Sequence, residues 1–150
     1  MTATVHILNG PNLNLLGVRE PHLYGHTTLA QVRDRCLALS AELGLRCVFR
    51  QSNHEGVLVD WVQEARAEGA AVVINPAGLS FRSIPLLDAL KMLDQPVIEV
   101  HITNIHRREA PYRDSLTSLA STGVICGLGP IGSELALHAV AQRLRAATTA

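Results

Sequence analysis

Lysine occurs once in the 150 residues, at Lys91, within a segment of helical spacing. Schiff-base chemistry, which needs a lysine amine at the reacting centre, therefore has almost no candidate. Aromatic residues make up only 3% and the formal net charge is +0. Single-strand binding wants stacking rings, and duplex binding wants a basic face that releases counterions, so nucleic acid is not an expected partner. Cysteine is also scarce: Cys36, Cys47 and Cys126 are odd in number, widely spaced and set among apolar neighbours. With no CxxC spacing, no HExxH and no Cys/His cluster among the seven histidines, no metal site is expected. Reduced core thiols suit a cytoplasmic protein. No apolar run approaches the ~20 residues that span a bilayer, so no membrane is expected. Nor does a basic segment with a long apolar stretch behind it open the sequence as a secretory signal would.

What remains is 47% hydrophobic and 17% charged, the composition of one globular domain over 1–150. Short β-branched runs, TVHIL (Thr4 to Leu8), RCVFR (Arg46 to Arg50), AVVIN (Ala71 to Asn75), PVIEVHI (Pro96 to Ile102) and GVICG (Gly123 to Gly127), read as strands. Between the first two, Leu29, Val32, Cys36, Leu39 and Leu43 recur at helical spacing, with Thr28 and Gln31 as a capping box and Gly44 as the left-handed terminator. Ser52 and Glu55 suggest a second capping box ahead of Leu58, Trp61, Val62 and Ala65, with Gly69 closing that helix. A third helix should start near Ser83 with Pro85 in its first turn and end before Gln95. A fourth is expected around Tyr112 to Ala120, and a last from Ser133 to about Arg145, leaving a frayed ATTA tail. Strands alternating with helices imply one α/β domain of flavodoxin-like type, a doubly wound parallel sheet in the order 2-1-3-4-5.

In such a fold ligands bind outside the carboxyl ends of the strands, where strand order reverses. That edge would gather Asn9, Gly10 and Asn12, then Asn75 to Gly78, then His101, Thr103 and Asn104. A flavin phosphate would want hydroxyls after strand one, where amides and leucines stand. A phosphoacceptor receiver would want an acid at Asn75. GLGPIG (Gly127 to Gly132) matches GxGxxG, but no second strand or ribose-binding acid lies about 20 residues on, so it reads as a tight strand–helix turn. Glu99 and His101, two apart on a strand, point to one face, where a carboxylate can orient an imidazole and favour its protonated form. Tyr24 is a poor base at its ordinary pKa of about 10, but Arg19, five residues away on the same loop, favours the phenolate. Base, acid and amide donors together suggest proton abstraction beside a carbonyl with an enolate held in place.

The segments NGPNLNLLGxREPxxYG, RQSNHEGxLxDWVQEA, INPAGLSxxS, VIEVHITNIHRRE and TGVIxGLGxxG resemble, in order and over about His6 to Ala141, type II 3-dehydroquinate dehydratase. The resemblance implies a cofactor-independent hydro-lyase that removes water from 3-dehydroquinate by anti elimination through an enolate. It also implies a homo-oligomer, a dodecamer built from trimers, working in aromatic amino acid biosynthesis (the shikimate pathway) or in quinate catabolism. By this resemblance Tyr24 would be the base and Arg19 its activating partner on a lid. Asn12 would hold an enolate-stabilising water, and His101, supported by Glu99, would protonate the departing hydroxyl. Asn75, Ile102 and Thr103 would bind substrate, and Asp88 would come from a neighbouring subunit. Arg113, with Arg108 as the other choice, would hold a ring hydroxyl. The family usually has histidine at Phe81, a position that contacts substrate hydroxyls, often has serine at Thr103, and commonly has arginine at Leu87. Phe81 keeps two other readings open: a paralogue for a related cyclic hydroxy-ketoacid, and a ligand-binding module without turnover.

Overall fold

The computed structural model describes residues 2–149. Five parallel strands, β1 (Thr4–Asn9), β2 (Arg46–Gln51), β3 (Ala71–Asn75), β4 (Val97–His101) and β5 (Gly123–Cys126), form one sheet in the order β2-β1-β3-β4-β5. The flavodoxin-like order expected from the sequence is therefore the observed one. β3 and β4 are buried at every residue, as strands covered on both faces must be, while the edge strands β2 and β5 are half-buried.

Alternation along the strands divides the core into two layers. On one face Val5, Ile7, Val73 and Val100 pack against α2 (Leu29–Glu42) and α5 (Gly132–Thr149). On the other, Leu8, Val72, Ile74 and Val97 pack against α3 (Glu55–Glu68) and α4 (Ile84–Lys91). Leu58 and Val62 of α3 are wholly buried, each stabilising the fold by roughly 1.5–3 kcal/mol relative to exposure. Trp61 packs half-buried beside them, under the Arg50 guanidinium. The capping box of α2 is formed on both sides, Gln31 N–H to Thr28 Oγ1 at 3.2 Å and Thr28 N–H to Gln31 Oε1 at 3.0 Å. Ser83 caps α4 through Leu86 N–H at 3.0 Å.

Three local expectations are corrected. Ser52 does not cap α3: it accepts from His54 N–H two residues on, and the Glu55 carboxylate accepts instead from Ser83 Oγ at 2.6 Å, tying α3 to the start of α4. A short serine turn has outcompeted the capping box. Around Tyr112 to Ala120 there is only a single 3-10 turn, Thr117–Ala120, because the hydroxyls of this segment turn inward to a buried carboxylate on β4. The tail does not fray at Arg145; α5 runs through Thr149, with the Thr148 and Thr149 hydroxyls bonded back to the Arg145 carbonyl at 2.8 and 3.3 Å. Ala150, the last residue of the expected tail, lies outside the described residues.

Candidate active site

The chain's two directions of travel from β1 leave a crevice at the carboxyl ends of β1 and β3, where Asn9 and Asn75 sit opposite each other in register. The backbones leaving these strands are held almost in contact, Gly10 N–H donating to Asn75 O at 2.8 Å. A Cβ on Gly10 would lie 2.5 Å from the Pro76 carbonyl oxygen, so only glycine fits this close approach. Asn12 follows in the left-handed region (φ 70), a conformation asparagine tolerates, and Asn53 Oδ1 accepts its N–H at 2.9 Å. Asn75 folds its own side chain back, Oδ1 accepting from Ala77 N–H at 3.1 Å. This leaves its amide N–H groups for a ligand.

Above the crevice runs the segment from Gly17 (φ 90) to Gly25 (φ 77), holding the short helix α1 (Pro21–Tyr24). It carries Arg19 and Tyr24 over the strand ends. The Arg19 guanidinium carbon lies 5.3 Å from the Tyr24 ring centroid, and Arg108, from the loop after β4, donates to the Tyr24 hydroxyl at 3.3 Å. Two cations thus stand beside one phenol.

At the end of β4, His101 is 5% exposed and Glu99 fully buried. His101 Nε2–H donates to Glu99 Oε2 at 2.9 Å, leaving Nδ1 as the ring nitrogen available to the cavity. Glu99 also accepts from Ser115 Oγ at 2.8 Å and from the hydroxyls of Thr117 and Ser118. Burial pushes its carboxyl upward, but the hydrogen bonds from His101, Ser118 and Thr117 outweigh burial and hold it below the usual glutamate range. An ionised, fully bonded carboxylate fixes the imidazole's orientation and supplies the counter-charge for its protonated form.

These groups surround one cavity of about 280 Å³. Of the residues singled out in the sequence, Asn12, Arg19, Tyr24, Asn75, Phe81, His101, Ile102 and Thr103 stand on its wall. Glu99 is behind His101. Asp88 is exposed on α4 and Arg113 is exposed in the loop after β4, both off this chain's cavity wall; of the two arginines Arg113 and Arg108, it is Arg108 that stands on it. Sequence reasoning assigned no role to Tyr112, Asn53, Ser115, Thr117 or Ser118. The hydroxyl-dense stretch from Ser115 to Ser121 was the available signal for the last three. Among the described residues, no cluster of three or more histidine, cysteine or acidic side chains could hold a metal ion, and no helix is long and apolar enough to cross a membrane. GLGPIG forms the tight turn expected of it, Gly129 N–H donating to the Ile102 carbonyl at 3.1 Å.

Fold and cavity together define a doubly wound α/β protein with a cavity of ionisable and amide side chains at its switch point. The particular family follows from comparison with known proteins. The chain belongs to the dehydroquinase class II family, whose sequence pattern matches residues 3–141. It is 57% identical over 141 residues to a Caulobacter sp. protein named 3-dehydroquinate dehydratase, covering 94% of this chain and 96% of the relative. It is 50% identical over 147 residues to 3-dehydroquinate dehydratase 2 of Pseudomonas aeruginosa, covering 98% and 99% respectively. Among solved structures, type II dehydroquinase from Propionibacterium acnes superposes with a TM-score of 0.91 at 44% identity, covering 95% of this chain and 98% of that one.

Proposed function

We propose that this protein removes water from 3-dehydroquinate to give 3-dehydroshikimate, by anti elimination through an enolate. The observation that carries this reading is one cavity holding a phenol flanked by two guanidiniums and an imidazole backed by a buried carboxylate. Tyr24, as phenolate, takes the proton at the carbon beside the ketone. Asn12, through a bound water, steadies the enolate oxygen as charge develops there. His101 then gives its proton to the departing hydroxyl, with Glu99 holding the ring in place. The backbone at Ile102 and the Thr103 hydroxyl receive the substrate carboxylate, and Asn75 orients the ring. The relatives named 3-dehydroquinate dehydratase support the choice of substrate.

The same reading includes a homo-oligomer, a dodecamer built from trimers, in which Asp88 reaches a neighbouring subunit's site. The exposure of Asp88 on α4, away from its own chain's cavity, suits that role. It also includes a cytoplasmic setting, supported by three free thiols, and a place in aromatic biosynthesis or in quinate breakdown.

The test is to mix purified protein with 3-dehydroquinate and follow the ultraviolet absorbance of the conjugated product. Wild type should form product, and Tyr24→Phe should lower kcat by about 10²–10⁴, the usual contribution of a positioned proton-transfer group. Undiminished turnover in Tyr24→Phe would remove Tyr24 as the base. A folded wild type that makes no product would sink the dehydratase reading.

A further inference from the structure

One stretch of the cavity wall is aromatic. Phe81, at the end of the 3-10 turn Ala77–Phe81, and Tyr112, in the loop after β4, meet edge to face, with ring centroids 6.0 Å apart and planes at 85°. Phe81 also lies against the His101 ring, centroids 6.1 Å apart. The Arg108 guanidinium carbon sits 4.4 Å over the Tyr112 ring. The phenyl thus lies between the imidazole and a second ring.

Phe81 has neither donor nor acceptor. A ligand carbon packed on it gains dispersion and loses contact with water, which is favourable. A hydroxyl in the same place gives up its water and finds no partner on the phenyl, which costs about 1–3 kcal/mol. Elsewhere the wall also carries polar groups that can meet a hydroxyl, among them Asn12, Arg19, Tyr24, Asn75 and Thr103. We infer that Phe81, packed against Tyr112, sets specificity so that the site dehydrates, as well as 3-dehydroquinate, cyclic β-hydroxyketo acids that lack a retained ring hydroxyl where the ring meets Phe81 and keep the departing one beside His101.

This inference rests on the dehydratase reading and changes none of its steps. The C–H bond beside the ketone breaks and its proton passes to the Tyr24 phenolate. The C–O bond at the β carbon breaks, its electron pair leaves with the oxygen, and that oxygen takes a proton from His101. A carbon–carbon double bond forms and water is released, with no oxidant or reductant involved. Only the edge of the ring that does not react differs between the substrates.

The physical basis is an asymmetry in discrimination. A site built to hydrogen-bond a substrate hydroxyl rejects the analogue without it by about 10⁴–10⁵, whereas an apolar wall separates the two by only about 10². The experiment measures kcat/KM for 3-dehydroquinate and for two analogues, each lacking one of the ring hydroxyls that the reaction keeps. Wild type, Phe81→Leu and Phe81→His are compared, with thermal melts as the check on folding. Wild type should turn over at least one analogue within about tenfold of 3-dehydroquinate, and Phe81→Leu should keep that ratio. Phe81→His, which restores a polar partner, should lower the analogue's relative kcat/KM by about tenfold or more. The inference is overturned if wild type prefers 3-dehydroquinate to both analogues by about 10³ or more, or if Phe81→His leaves the ratio unmoved. Turnover of none of the three by folded protein would overturn the dehydratase reading, and this inference with it.

Discussion

Replacing Glu99 separates its chemical role from its structural one. The carboxylate is fully buried and accepts from His101, Ser115, Thr117 and Ser118. Hydrogen bonds to a charged group contribute about 1.5–3 kcal/mol each, so four amount to roughly 6–12 kcal/mol gross. Relieving the burial of a charge offsets much of that. Glu99→Ala, which strips the acceptors and leaves four donors facing a void, should destabilise by about 3–5 kcal/mol net, the range seen when one partner of a buried charged network is deleted. Glu99→Gln keeps the shape, and the serine and threonine hydroxyls can rotate to meet the amide, so its stability should change by about 1 kcal/mol or less. Its effect on turnover should be far larger. Without the negative charge, His101 loses the counter-charge for its protonated form, and the neutral amide oxygen holds its N–H more weakly. The assay follows product absorbance at saturating 3-dehydroquinate, and kcat should fall by about 10²–10⁴ while the thermal melt stays near wild type. A folded Glu99→Gln protein with kcat within about twofold of wild type would refute the coupling of Glu99 to His101 as acid.

The lowered carboxyl of Glu99 makes acid stability directional. A folded-state pKa below the unfolded value contributes stability that is complete above the ordinary glutamate range, near pH 4.3. That stability is lost as pH falls through the folded value, so melts of wild type should drop below that range more steeply than those of Glu99→Gln. Burial pushes the Cys36 thiol up to about 12, so the folded protein should leave it unmodified by a thiol reagent at pH 8, while denaturant exposes it; rapid labelling of Cys36 without denaturant would contradict its burial. By the same shift its contribution to stability, complete below the ordinary thiol range, declines as pH rises from that range towards about 12. Gly10→Ala would put a methyl 2.5 Å from the Pro76 oxygen, forcing β1 and β3 apart at the crevice. It should cost about 1–3 kcal/mol in a denaturant titration and also lower kcat, because Asn12 and Asn75 leave from the displaced segments.

Local order was legible because it has local causes. The strands Thr4–Asn9 and Ala71–Asn75 announced themselves by β-branched runs, and α2 by its spacing and the Thr28–Gln31 box. The same local rules misread Ser52–Glu55 and Tyr112–Ala120, where side chains that could have served a helix were drawn to partners 28 and 16 to 19 residues away, Glu55 to Ser83 and Ser115, Thr117 and Ser118 to Glu99. Tyr24 and Arg19 could be paired from the sequence because they share one short loop. Arg108 could not be joined to Tyr24 by spacing, since 84 residues separate them.

The sequence by itself determined the parallel sheet, the amides at the ends of β1 and β3, the Glu99–His101 pair and the loop that holds Arg19 and Tyr24. Each follows from hydrophobic period, turn chemistry or two-residue strand alternation, which act between near neighbours. Only the tertiary structure decided which cation meets the phenol, which hydroxyls hold Glu99 charged, and that Phe81 lies between His101 and Tyr112. Those contacts join loops that leave different strands. Their geometry is set by where the packed sheet brings the strand ends, and no pattern along one segment encodes it.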